Sequence, residues 1–122
     1  MGRFGFQPNS NTIRAIVKIA ALPHIELEVI FTHFAVSDIR DKTYTKCQFE
    51  LFTWVLDELY KKGVEPLLRH VSNSAAIIDL PEYNLDMVRP GIMLYGYEPS
   101  DEVNLTRLTK SAMTLKAHIS NV

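Results

Sequence analysis

Two hydrophobic rhythms take turns along this chain. Ile13, Ile16, Val17 and Ala20 recur at helical spacing. Asn9 or Ser10 can cap that helix, because a short side-chain oxygen accepts from an orphan first-turn amide. Pro23 stops it. A mainly apolar run, Leu27 to Phe34, then predicts a buried strand. Cys47, Leu51, Phe52, Val55, Leu56 and Leu59 form the apolar stripe of a longer helix. Thr45 and Gln48 have capping-box spacing at its start. Lys61 and Lys62 suit its carboxyl-end dipole, and Gly63 suits its stop. Leu67–Val71 predicts a second strand. Asn73 or Ser74 can cap a short helix over Ala75–Leu80. Met87–Tyr95 predicts a third strand, although Pro90 removes one ladder donor. Ala112–Ile119 predicts a last strand, of a different sheet. Strands alternating with helices imply crossover connections and a parallel sheet, an α/β class. An open doubly wound sheet and a (β/α) barrel give the same order over 122 residues.

Charge and cysteine usage remove several function classes. There are 13 Lys+Arg against 14 Asp+Glu, so the basic face of a general nucleic-acid binder is not expected. The single cysteine, Cys47, cannot form an internal disulfide; on the apolar stripe it reads as packing. Phe49, Phe52 and Trp54 read as core or helix contacts. No apolar run is long enough to span a bilayer, and Met1–Phe6 opens no signal core. These features predict a soluble, cytoplasmic chain without a membrane partner.

Polar residues gather where strands should end, the side on which α/β folds bind ligands. His33 closes the first strand, Asn73 and Ser74 follow the second, and Arg89 and Gly91 lie in the third. Each has a plain structural reading. A histidine after an apolar strand is more often a hydrogen-bonded rim residue than a catalyst. Asn73-Ser74 is most simply a helix cap; its functional reading is anion binding by free amides. Arg89 needs partners wherever it is buried, and Asp86 or Glu82 could supply a salt bridge. Gly91 can be a bulge or a close-packing position. His24, His33, His70 and His118 lack metal-site spacing. There is no Walker A loop, GxGxxG or nucleophile elbow.

Taken together, several segments resemble bacterial alanine racemase. They are Met-Gly-Arg-Phe-Gly-Phe at 1–6, Phe-Thr-His-Phe-Ala at 31–35, Asp-Lys-Thr-Tyr-Thr-Lys-Cys-Gln-Phe at 41–49, Asn-Ser-Ala-Ala at 73–76, Met-Val-Arg-Pro-Gly-Ile-Met-Leu-Tyr-Gly at 87–96 and Ala-Met-Thr-Leu-Lys-Ala at 112–117. Their order and spacing match too. The resemblance implies a pyridoxal 5'-phosphate enzyme with a (β/α)8 TIM barrel and a C-terminal β domain. It implies a homodimer that interconverts L- and D-alanine for peptidoglycan synthesis. Within that pattern, residues 1–110 would be the last few β/α units of the barrel. Residues 111–122 would begin the β domain.

The family's roles carry over residue by residue. Arg3 resembles the arginine that contacts the cofactor's phenolic oxygen and the substrate carboxylate. Ser74 resembles a phosphate ligand, completed by the amides of Gly91 and Ile92, with Asn73 shaping the turn. Arg89 resembles the arginine facing the pyridine nitrogen, and His33 the histidine bonded to it. An arginine keeps its proton, so the ring nitrogen it faces stays largely unprotonated. The ring is then a weaker electron sink, and proton return to Cα competes with side reactions.

Two-base racemisation needs a base on each face of Cα. In the family these are a cofactor-bound lysine and a tyrosine, and both would lie outside this chain. Lys18, Lys42, Lys46, Lys61 and Lys62 do not sit in the lysine motif. The chain alone is therefore expected to be inactive. Part of a barrel is also expected to associate through open strand edges. The competing readings are a non-catalytic pyridoxal-phosphate-binding barrel and an inactive relic or interaction module. The resemblance of 112–122 to a β domain weighs against the former. Serine or another small amino acid could replace alanine as substrate.

Overall fold

In a computed structural model, residues 4–104 and 110–119 are described. Helix α1 spans Ser10–Ala20, strand β1 Val29–Phe31, helix α2 Thr43–Tyr60, strand β2 Leu68–His70 and helix α3 Ser74–Asp79. Two 3-10 turns follow, Pro81–Tyr83 and Ile92–Tyr95. β1 and β2 pair in parallel, Val29 with Leu68, Ile30 with Arg69 and Phe31 with His70. α2 makes the crossover between them, as a parallel pair requires. Among the described residues no helix is long and apolar enough to cross a membrane.

Local chemistry sets the helix ends. Asn9 Oδ1 accepts from the amides of Asn11 and Thr12, at 3.0 and 3.1 Å. α2 closes with the Val64 amide on the Leu59 carbonyl and the Gly63 amide on that of Tyr60, at 3.1 and 2.9 Å. That paired closure needs a left-handed residue, and Gly63 supplies it at φ 73°. The core is continuous across α2. Val55 and Leu59 pack with Ile13 and Ile16 of α1. One turn earlier, Phe52 packs with Phe34, Val71 and Ala76. Phe49 stacks on Tyr83 with ring centroids 3.9 Å apart.

The structure corrects five expectations. The capping box at Thr45 and Gln48 does not form: the N-cap is Lys42, three residues earlier, and Asp41 Oδ1 accepts from the Thr43 amide. The buried face of α2 is Thr45, Phe52, Val55 and Leu59. Cys47 and Leu51 on the predicted stripe are exposed rather than packed, while Trp54 is 37% exposed, a partly covered position at the margin of that face. The first two strands are short, three residues each.

Met87–Tyr95 is not a strand; its second half is a 3-10 turn. The first half nevertheless runs along the free edge of β2. The Asp86 amide donates to the Arg69 carbonyl at 3.1 Å, and the Arg89 amide to that of Ser72 at 3.0 Å. The ladder does not extend back from the first of these, because the Arg69 amide is taken by the Asp86 side chain, at 2.8 Å. Pro90 has no amide with which to continue it. Asp86 also binds the Arg69 guanidinium at 2.6 and 2.9 Å. That pairing holds the Asp86 carboxyl down at about 2, and it leaves Arg89 to find other partners. Over Ala112–Ile119 no strand is found among the described residues. The segment is moored by the Ala112 amide on the Tyr95 carbonyl, 3.0 Å, and by the Tyr97 hydroxyl on the Met113 carbonyl, 2.7 Å.

Candidate functional site

The carboxyl ends of β1 and β2 stop side by side, with the Thr32 amide on the His70 carbonyl at 3.3 Å. The segment after Asp86 passes the same end. Three chain segments thus deliver their polar residues to one place.

Arg89 is the hub of one half. Its Nη2 donates to the Thr32 carbonyl at 2.9 Å and lies 3.2 Å from His33 Nδ1. A guanidinium only donates, so His33 Nδ1 accepts and the ring proton belongs on Nε2. The guanidinium carbon sits 5.5 Å from the Phe31 ring centroid, within cation–π reach. The Phe31 ring in turn stacks on His70, 4.9 Å between centroids and 6° from parallel. Burial lowers the His70 pKa, and the nearby Arg89 charge lowers it further. Both effects keep a neutral imidazole in that stack. Gln48 fixes the peptide of His33 from α2. Its Nε2 donates to the His33 carbonyl at 2.7 Å, and its Oε1 accepts from the Ala35 amide at 3.0 Å.

Ser74 is the hub of the other half. It opens α3, where Asn73 is the cap and accepts from the Ala76 amide at 3.1 Å. Ser74 Oγ accepts from the amides of Gly91 and Met93, at 2.9 and 3.4 Å. Ile92 lies between these two, at the first position of the 3-10 turn. A Cβ on Gly91 would stand 3.5 Å from Ser74 Oγ, an ordinary van der Waals contact. With Ser74 Oγ taken as acceptor by two amides, its own hydroxyl proton is left to donate, and the three groups lie close enough together to turn toward one anionic oxygen.

Of the residues singled out by sequence, His33 and Arg89 meet, and Asn73, Ser74, Gly91 and Ile92 form one turn system. Arg3 lies outside the described residues. Sequence reasoning missed Phe31, His70, Gln48 and Met93. His70 carried a signal: a polar residue inside an apolar strand, in register with an aromatic one. Gln48 carried a misleading one, since its capping-box spacing hid a long-range contact.

The chain matches the family model for alanine racemase, N-terminal domain, over residues 1–99. It is 52% identical over 126 residues to an alanine racemase of Clostridium tetani, which covers 100% of this chain and 33% of that protein. An alanine racemase of Methanococcus maripaludis is 49% identical over 123 residues, with 100% and 33% covered. Among solved structures, an alanine racemase of Clostridium difficile 630 superposes with a TM-score of 0.88 at 46% identity, over 90% of this chain and 29% of that one. The alanine racemase of Bacillus anthracis with bound L-Ala-P gives 0.76 at 35% identity, over 84% and 26%. The chain spans about a third of the length of the curated relatives it matches.

Proposed function

The chain belongs to the alanine racemase family, N-terminal domain, and from that membership we propose that it is the site-forming part of a pyridoxal-phosphate-dependent alanine racemase. In this reading residues 1–110 are the last β/α units of a TIM barrel, and residues 111–122 begin a β domain. The whole protein is a cytoplasmic homodimer that supplies D-alanine for peptidoglycan. The observation that carries the reading is the segment 89–91. There Arg89, a fixed cation bonded to the Thr32 carbonyl, stands two residues from Gly91, whose amide donates to Ser74 Oγ at 2.9 Å, and this adjacency supports reading Ser74 as part of an anion cradle.

When bound, pyridoxal phosphate withdraws electrons from the amino-acid Cα and makes its proton removable. This chain's residues hold and tune that chemistry. Ser74 and the amides of Gly91, Ile92 and Met93 bind the phosphate, and Asn73 shapes their turn. Arg89 donates to the pyridine nitrogen without surrendering a proton. His33 and the Thr32 carbonyl aim it, and the Phe31 ring, 5.5 Å from the guanidinium carbon, packs against it. Arg3, by its match to the family motif, is assigned the contacts with the phenolic oxygen and the substrate carboxylate. The two bases that exchange the Cα proton, a lysine and a tyrosine in the family, belong to the remaining two-thirds of the protein. This chain by itself binds and positions without turnover.

A hybrid polypeptide tests this. Residues 1–122 replace the matching third of the Clostridium tetani racemase, and L- to D-alanine conversion is followed. The hybrid is expected to racemise alanine, and the 122-residue chain alone is not. A folded hybrid that binds pyridoxal phosphate without turnover, beside an active parent, would favour the non-catalytic binding barrel instead.

A further inference from the structure

Behind the Ser74 cradle lies a closed polar ring that joins both ends of α3 to the loop after β1. Ser37, only 1% exposed, donates its hydroxyl to Asn73 Oδ1 at 2.8 Å. The direction is fixed, because the same Oδ1 accepts from the Ala76 amide. The Ser37 carbonyl accepts from Lys42 Nζ at 2.8 Å. Lys42 Nζ also pairs with Asp79 Oδ2 at 2.8 Å, with side chains 15% and 12% exposed. Asp79 ends the helix that Ser74 begins, so the ring closes through α3 itself.

α3 has six residues, too few to hold a helix unaided. Its direction, and with it the direction of Ser74 Oγ, depends on what grips its ends. Asn73 grips the first turn, and Ser37 sets the Asn73 amide. Lys42 draws the last turn toward the same loop. Desolvation offsets most of the Coulomb gain of so buried a pair, so its distinct consequence is placement. Asp79 Oδ1 also accepts from the Asn104 amide at 3.0 Å. Val103 packs on Ala75 and Ile78, so the segment after the 3-10 turn is tied to the same frame.

We propose that Ser37, Lys42 and Asp79 are positioning residues of the Ser74 cradle, and that they set the affinity for the phosphate of the ligand while touching none of it. The proposal rests on the phosphate reading of Ser74 given above. It is tested in the hybrid polypeptide by titrating pyridoxal phosphate and pyridoxal separately and following the absorbance of the bound ligand. Ser37→Ala and Lys42→Met are each expected to weaken pyridoxal phosphate about five-fold, the equivalent of one net hydrogen bond. Pyridoxal, which lacks the phosphate, is expected to bind as before, and Lys42→Arg to restore the parent ratio. Equal weakening of both ligands, or no change in their ratio, overturns the proposal. Ser74→Ala separates the two levels. If it leaves the ratio unchanged, the phosphate reading itself fails and takes this proposal with it. If it lowers the ratio while Ser37→Ala does not, only the positioning role fails. Ser37→Ala removes a single hydroxyl, so it carries the test even where Lys42→Met does not fold.

Discussion

Gln48→Glu changes the chemistry of one side-chain atom and almost none of its volume. The wild-type amide donates to the His33 carbonyl at 2.7 Å and accepts from the Ala35 amide at 3.0 Å. At neutral pH a carboxylate keeps the second bond and strengthens it by its charge. At the first it sets an anionic oxygen against a carbonyl oxygen. One hydrogen bond is lost, about 1 kcal/mol, and a half-buried carbonyl left facing a like charge costs about 1–2 kcal/mol more. After the gain at Ala35, about 2 kcal/mol of destabilisation remains at pH 7. The sign with pH is definite. Repulsion from the His33 carbonyl favours the neutral acid, so the introduced carboxyl titrates above its unfolded value of about 4.3. Once protonated it donates to that carbonyl as the amide did. The loss is therefore small below about pH 4 and grows as pH rises through the elevated folded pKa. Urea unfolding of parent and variant, from pH 4 to pH 8, gives the difference directly, and shared titrations cancel. A difference that is flat with pH, or below about 0.5 kcal/mol at pH 7, would refute the reasoning. It would mean that Gln48 does not hold the loop behind His33.

Asp86 gives the opposite pH dependence. Its carboxyl is depressed from 3.8 to about 2 by the Arg69 guanidinium, so its contribution is complete above pH 4 and disappears as pH falls toward 2. With Arg69 half exposed the contribution is no more than about 1 kcal/mol, and Asp86→Asn should flatten acid unfolding in that window. Leu59→Ala removes a side chain with no exposure at all; a loss of about 2–4 kcal/mol is expected in denaturant unfolding. Gly96 has φ 76°, and a Cβ there would meet the Lys110 carbonyl oxygen at 2.4 Å. Gly96→Ala should detach the 110–119 segment and speed its cleavage by a nonspecific protease, with the body of the fold intact.

The sequence was most legible where structure is local. Asn9 and Asn73 announced their caps, because a cap is a contact between near neighbours. Gly63 announced its helix stop for the same reason. Fold class followed from the alternation of periods. Legibility ended where a distant segment decided the outcome. Met87–Tyr95 has the composition of a strand, but Asp86 occupies the rung that a carbonyl would have filled. Cys47 and Leu51 have the spacing of a core stripe, yet the described core on α2 gathers around Phe52, Val55 and Leu59 and leaves them exposed. The individual site residues were visible as polar groups at strand ends. Their partners were not: no local pattern says that Arg89 bonds His33 rather than Asp86, since Arg69 competes for Asp86 from 17 residues away.

The side-chain rung at Asp86 makes the location of Arg89 a matter of counting. Residues 86 and 89 meet the carbonyls of residues 69 and 72, so both segments advance three residues between the two pins. Neither can gain or lose one without breaking step. A single deletion between Asp86 and Arg89 would shift the guanidinium by about 3.3 Å along β2, a large fraction of its 5.5 Å separation from the Phe31 ring. Substitutions at Met87 and Val88 change only what fills the interval. This short stretch should therefore vary freely in residue type and hardly at all in length.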